Sequence, residues 1–419
     1  MFTFSPLITL AIVVLSLLGV LTRLFRLGEA AWALIGAFAL VITLQMHPVQ
    51  AWHAVMRGHD VYLFLAGMML MAELARRTGL FDVVAAWAVR LARGSTRRLF
   101  CWVYGVGALV TITMSNDATA VVLTPAVLAA VRAARVTHPL PHLYACAFIA
   151  NAASFVLPIS NPANLVVFGA AMPGLGEWLS VFLLPSIVAI LVTFLTLFWH
   201  QRSWLGGPLH TPSAPPVLSG TGRFAAAGIV AMAVVLIAAS ALGVSLGWPS
   251  ALLGAGWTLL LALRRGRLAA QVATGVSWSV MGLVAGLFVL VQALDQLGWV
   301  AWLTNAVRTL TDYSPEAAVW LSGGVTALVT NGVNNLPAGL LAGTVVGVSD
   351  MPVAVRAATL VGIDLGPNLS ITGSLATLLW LVALRREGMN VGPWQFFKVG
   401  VATLPLTLAA TLAVVAWQA

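Results

Sequence analysis

Two stretches of this chain repeat one another at a fixed distance and break in the same way. Positions 105–116 read GVGALVTITMSN and positions 324–335 read GVTALVTNGVNN, an offset of 219 residues at which seven of twelve positions are identical. The same offset aligns AGMMLMAELARRTG (66–79) with AGLFVLVQALDQLG (285–298). The chain is therefore an internal duplication, and in both copies an apolar run stops at Asn-rich polar sequence. Lipid offers the backbone no hydrogen bonds, so such breaks persist only where they are buried in protein or line a cavity. Paired breaks in two halves of a membrane protein point to a transporter's binding site.

Composition sets the class. Of 419 residues, 60% are hydrophobic and 8% charged, which predicts an all-α polytopic membrane protein. The net charge of +9 sits in short loops between apolar runs, where it orients a membrane protein and does not imply a nucleic-acid partner. Lys398 is the only lysine, so a Walker A motif is excluded. Cys101 and Cys146 form no pattern, and neither HExxH nor CxxC occurs. No metal or other cofactor is expected, and no enzymatic nucleophile–base pair reaches membrane depth. Residues 5–22 lack a basic n-region and read as a retained first span.

A span needs about 20 apolar residues. Candidate spans are roughly 5–22, 29–46, 60–76, 143–172, 178–199, 223–246, 248–263, 279–297, 352–384 and 393–418. The stretches 98–134 and 315–350 each hold two apolar arms of about 15 residues around a polar tip, and read as re-entrant hairpins. With both termini outside, only Arg57, Arg308 and Arg356 of the 21 basic residues face outward, as the positive-inside rule requires. A twelve-span arrangement keeps the same loop charges and fails only on arm length. The halves are then 1–199 and 223–419, joined by a cytoplasmic linker at 200–222 rich in Pro, Gly and Ser. Each half has five transmembrane helices and one re-entrant hairpin, so the copies form two inverted repeats whose broken helices meet at the midplane. Segments 79–93 and 299–311 are amphipathic, too short to span, and read as interfacial connectors.

Four breaks carry the chemistry. The hairpin tips are Ser115-Asn116-Asp117-Ala118-Thr119 and Asn331-Gly332-Val333-Asn334-Asn335-Leu336-Pro337. Two more breaks interrupt spans at 158–164 and 364–374. Pro162 and Pro337 suit the first helical position, and Asp117 and Asn161 suit N-caps. Half-helices that begin at the midplane aim free N–H groups and a positive dipole end at the site. Asparagine amides and Ser/Thr hydroxyls both donate and accept, which suits a small polyhydroxy solute. Substrate contacts are expected from Ser115, Asn116, Thr119, Ser160, Asn161, Asn164, Asn334, Asn335, Asn368, Ser370, Thr372 and Gly373. Part of this set is expected to satisfy broken-helix backbone instead.

Asp117 and Asp364 are the acids at membrane depth. Burial penalises a carboxylate anion, so such a group can load and release a proton, and both are candidates for proton coupling. Each also has a plain structural alternative: Asp117 as an N-cap, Asp364 as a tie to loop backbone at Gly366-Pro367. Glu73 is expected to pair with Arg76 or Arg77. At the repeat offset Asp117 aligns with Leu336 and Glu73 with Gln292, which makes any coupling element asymmetric.

On SNDATAVVLTP (115–125), NAASFVLPISNPANLVVFG (151–169), VNNLPAGLLAG (333–343) and IDLGPNLSITGSLATLLWL (363–381), the chain resembles the arsenite efflux permease family of the ion transporter superfamily. The resemblance covers nearly the whole chain. It implies residence in the bacterial inner membrane and extrusion of arsenite and antimonite, as neutral trihydroxides, in exchange for protons. It also implies that a separate cytoplasmic ATPase can serve as partner. The related dicarboxylate carriers look similar but carry Ser-Asn-Thr at both tips, where this chain has Ser115-Asn116-Asp117 and Asn334-Asn335-Leu336. A carboxylate there would repel a dicarboxylate. Same-fold carriage of organic anions or of Na⁺ against H⁺, and service as the membrane subunit of an ATPase-driven arsenite pump, are the alternatives. Cys101 and Cys146 lie away from the breaks, so recognition of As(OH)₃ is expected through hydrogen bonds, not thiolates.

Overall fold

The computed structural model describes residues 5–22, 25, 27–210, 217–348 and 351–419. Arg23 and Arg26, which entered the charge argument, lie outside the described residues, as do linker residues 211–216 and hairpin residues 349–350. The described chain is helical and contains no strand; its one β-bridge joins Ser95 to Pro208. The all-α membrane fold expected from the composition is what forms. Among the described residues, four helical segments are long and apolar enough to cross a membrane: Leu175–Gln201, Gly220–Ala241, Gly247–Gln296 and Pro393–Gln418.

The repeat is visible helix by helix. Pro6–Thr22, Glu29–Ile42 and His59–Arg77 in the first half correspond to Gly220–Ala241, Gly247–Gly275 and Ser279–Gln296 in the second. Both copies then turn at a left-handed glycine, Gly79 (φ 70°) and Gly298 (φ 78°), a conformation that costs a residue with a Cβ about 1–2 kcal/mol. The amphipathic helices Leu80–Leu91 and Trp299–Tyr313 follow, as the sequence predicts.

Packing follows the same two-fold pattern, each half lying against the other. His59–Arg77 packs on Gly247–Gly275, Ser279–Gln296 packs on Glu29–Ile42, and the two closing helices, Leu175–Gln201 and Pro393–Gln418, pack on each other. Small residues permit these crossings, as is usual between membrane helices. A Cβ on Gly67 would stand 2.1 Å from Ser250 O, and one on its repeat mate Gly286 would stand 2.6 Å from the Ala33 backbone.

Three expectations need correction. The span at 248–263 does not end there: the helix runs on to Gly275 through a kink at Arg265 (φ −147°). The matching region of the first half holds a helix missed in the sequence, Pro48–Arg57. It opens with Pro48 at the first position and a capping box in which Val49 N–H donates to His47 Nδ1 and His47 N–H to Gln50 Oε1, both at 3.2 Å. The arms of the second hairpin are also uneven, and the leading arms of both are longer than expected. Thr96–Thr113 and Pro315–Val333 have 18 and 19 residues, against 12 for Asn335–Val346. At 1.5 Å per residue the first arms reach about 27–29 Å, longer than the arms of about 15 residues expected.

Candidate functional site

The first hairpin turns at Ser115, whose Oγ accepts Ala118 N–H at 3.3 Å and caps the second arm. Asp117 was expected to be that cap. It instead occupies the second helical position, because Ser115 reaches the third N–H first, and it accepts no hydrogen bond from the protein among the described residues. Asn116 Oδ1 takes the Asp117 N–H at 2.9 Å. The arm then widens over Thr119–Leu123, where Thr124 N–H bonds to Thr119 O. Pro125, next in line, brings no N–H to continue a regular turn. Thr119 faces its own hairpin: its Oγ1 lies 2.8 Å from Thr111 Oγ1.

The second tip is built differently. Asn334 stands at φ 72° and caps Asn335–Val346 by accepting Leu336 N–H at 3.3 Å, while its Nδ2 donates to Thr372 O at 3.4 Å. With ψ at 154° this backbone lies outside the left-handed helical region, in one that residues with a Cβ hold only under constraint. Pro337 falls third in the helix, two positions later than expected, where a missing N–H still costs nothing.

Between these tips lie the broken helices. Asn161 caps Pro162–Phe168 by accepting Ala163 N–H at 3.0 Å, with Pro162 first, as the sequence predicts. Its Nδ2 donates to Asp364 Oδ1 at 2.8 Å, across 203 positions of sequence. Asp364 is 0% exposed, and its Oδ2 accepts Ser154 Oγ–H at 2.6 Å. It thus ties the two halves together and does not hold its own loop at Gly366-Pro367. Asn368 Oδ1 accepts Asn151 Nδ2 at 2.9 Å, a second buried link between the halves.

The remaining candidates serve the breaks themselves. Asn164 Nδ2 donates to three carbonyls, those of Ser154, Leu157 and Pro158. Ser160 Oγ donates to Ile112 O at 3.1 Å. Ser370 Oγ donates to Asn331 Oδ1 at 2.6 Å and Thr372 Oγ1 to Asn331 O at 3.1 Å. Gly373 is a close approach, since a Cβ there would meet Pro367 Cα at 2.6 Å.

Of the fourteen predicted site residues, four share one small cavity of about 10 Å³: Asn116, Asp117, Asn161 and Asn335. Pro162, Leu336, Leu375 and Ala376 complete it from the breaks, and Leu65 and Val280 close it from the scaffold helices. It holds roughly one water-sized group. Asn335 Oδ1 is buried without a partner there, and Asp117 carries its unbonded carboxyl. The residues that sequence reasoning missed are Asn151, Ser154, Asn331 and Ser374, which fasten the breaks. All four sit inside the polar motifs already singled out, but nothing local distinguishes them. A larger cavity of about 700 Å³ lies between scaffold residues such as Arg57, Asp60, Phe288 and Gln292 and the far ends of Pro162–Phe168 and Asn335–Val346.

Glu73 is paired as expected, with Arg76 at 2.5 Å and Arg77 at 2.7 Å. Its repeat mate Gln292 accepts a hydrogen bond from Arg57. Cys101 is exposed, Cys146 is buried, and neither lines the small cavity.

Comparison with known proteins bears out the family resemblance and the class of membrane transporter. The model of the citrate transporter family matches residues 8–363. The arsenical pump membrane protein of Escherichia coli K12 is 28% identical over 97% of both chains, and that of Yersinia enterocolitica is 29% identical over 87% of both. An uncharacterized transporter of Mycobacterium tuberculosis H37Rv is 26% identical over 92% of both chains. Among solved structures, the YdaH transporter of Alcanivorax borkumensis, described as having an unusual topology, matches with a TM-score of 0.55 at 14% identity, covering 98% of this chain and 97% of that one.

Proposed function

Because this chain belongs to the citrate transporter family, and so is a membrane transporter and not an enzyme, we propose that it exports trivalent arsenic and antimony in exchange for protons. The cargo is arsenite or antimonite as the neutral trihydroxide. The observation that carries this reading is the small cavity: an unbonded Asp117 carboxyl beside Asn116, Asn161 and Asn335. Amide donors and acceptors match the hydroxyls of a trihydroxide, and the free carboxyl supplies a group that charges and discharges within the same shell. Cargo and carboxylate compete for those amides, so occupancy by one disfavours the other. At about 10 Å³ the cavity is too small for the solute, and the reading requires the tips and broken helices to move against the scaffold helices to admit it. The relatives named as arsenical pump membrane proteins support this cargo.

The orientation follows from loop charge. Residues 1–199 and 223–419 are proposed as inverted repeats in the bacterial inner membrane, with both termini outside and the linker 200–222 in the cytoplasm. In that frame the 700 Å³ cavity, lined by Arg57, faces outward, as a release vestibule. The linker face is where a cytoplasmic arsenite ATPase would attach. No resident cofactor enters the cycle; the energy source is the proton gradient.

The test uses purified protein in liposomes under an imposed pH gradient, comparing the native chain with Asp117→Asn. Accumulation of arsenite that disappears in the variant supports the reading; accumulation that persists unchanged removes Asp117 from coupling. A second reading, carriage of an organic anion, is favoured by the family's description as citrate transporters and by Arg57 at the vestibule. Citrate uptake with no arsenite movement would establish it in place of the first.

A further inference from the structure

Ser154 is not among the residues expected to act, yet it occupies an unusual position. Its side chain is 0% exposed, and its hydroxyl has two acceptors within reach: Asp364 Oδ2 at 2.6 Å and the Asn151 carbonyl at 2.7 Å. A serine hydroxyl has one proton to give and lone pairs to receive. It therefore serves one acceptor at a time, and whichever it leaves must be satisfied otherwise.

We propose that Ser154 is the positioning residue that lets Asp364 exchange a proton inside a dry site. The inference rests on the reading of Asp364 as a coupling acid and assigns the atoms of that exchange. When Asp364 is ionised, Ser154 Oγ–H donates to Oδ2 while Asn161 Nδ2 donates to Oδ1, so both carboxylate oxygens are bonded. When Asp364 takes up a proton from solvent, the proton resides on Oδ2. Oδ1 faces an amide NH₂, and a carboxyl O–H placed there would set donor against donor. The new O–H then donates to Ser154 Oγ, and the serine proton turns to the Asn151 carbonyl. Release to solvent reverses both turns. In neither state is a buried polar atom of the three left unpaired. Asn161 keeps its bond to Asp364 and its cap on Ala163 N–H throughout. The proton changes place behind the cavity wall without dismantling the wall.

No other charged group takes part. The titratable side chains on elements packed against the Val353–Leu365 helix are His142, Tyr144 and Cys146 of Leu140–Ala152, Glu316 of Pro315–Val333, Lys398 of Pro393–Gln418, and Glu177 and His200 of Leu175–Gln201, with Arg356 on the helix itself. None forms a hydrogen bond or ion pair with Asp364 among the described residues.

The test does not depend on cargo. Full-length protein in lipid nanodiscs is titrated while the protonated-carboxyl stretch is followed by infrared difference spectroscopy, for the native chain, D364N, S154A and S154T. The band missing from D364N belongs to Asp364. In S154A that band is expected at higher frequency, because the acid has lost its acceptor. Its titration midpoint is expected to be displaced by about one pH unit, the scale of one hydrogen bond to a charged group. S154T, which keeps the hydroxyl, is expected to restore both. If S154A does not fold, S154C keeps the volume with a far weaker donor and carries the same comparison. A band and midpoint in S154A identical to the native ones, with D364N lacking the band, overturns the role of Ser154 alone. A full carboxyl signal in D364N overturns the reading of Asp364 as a titrating acid.

Discussion

The two hairpin tips are copies of one sequence that now do different work at one place. Asn116 and Asn335 are repeat mates, as are Asp117 and Leu336, and all four line the same small cavity. The pseudo-two-fold relation therefore passes through the site itself. Its symmetric part is a pair of amides, and its asymmetric part is one carboxyl opposite one isobutyl group. The caps differ as well. The first tip bends in extended backbone at Ser115, and the second is held at positive φ at Asn334. Past the tip, Pro125 forces a widened turn where its mate Thr344 leaves a regular helix. Duplication supplied the shape of the site twice, and divergence placed the charge once.

The largest expected effect comes from moving that charge. D117L should abolish pH-driven arsenite accumulation in liposomes, since the only unbonded acid at the cavity is lost. Adding L336D to D117L returns a carboxyl to the same cavity from the opposite tip, and should restore a measurable fraction of the accumulation. Restoration would mean that the cavity, and not the first hairpin, defines the coupling site. A double variant as inactive as D117L would show that the first tip's own geometry is required.

A smaller effect is expected where the halves touch behind the tips. A Cβ on Gly343 would lie 2.5 Å from Val167 O, at the contact between the second hairpin's inner arm and the first half's broken helix. G343L should cost about 1–3 kcal/mol or more by overpacking, read as a lower thermal unfolding midpoint in detergent. G332L, at an open position of the same hairpin with nothing within 4 Å of a Cβ, should be nearly neutral.

The four breaks, the amphipathic connectors and the repeat were legible in the sequence because each interrupts apolar periodicity in a way lipid does not forgive. Helix ends were less legible. Arg264, Arg265 and Arg267 read as a loop, but the chain stays helical through them and kinks at Arg265. Pro48–Arg57 was too short to stand out from a loop. Within the site, the residue types were legible and their division of labour was not. Asn116 and Asn335 face the cavity, while Asn164, Asn331 and Asn368 spend their amides on backbone and cross-links. For Asn161 and Asn368 that division depends on partners more than 200 positions away, and for Asn164 and Asn331 on how the chain folds back at the breaks. No local spacing encodes it.

The smallest effects separate the two caps. S115A removes one bond to Ala118 N–H from an extended residue, and should cost about 1 kcal/mol, the usual worth of an N-cap. N334A removes the bond to Leu336 N–H and the one to Thr372 O, and leaves a Cβ at φ 72°, ψ 154°, so it should cost about 2 kcal/mol, more than S115A. N334G loses the cap but relieves the backbone, so it should cost only a few tenths of a kcal/mol, about as little as glycine costs at an N-cap. The expected order of thermal midpoints in detergent is N334G above S115A above N334A. Equal losses for N334A and N334G would mean that the second tip is held by its side-chain bond and not by backbone conformation, and the contrast between the tips would then lie in charge alone.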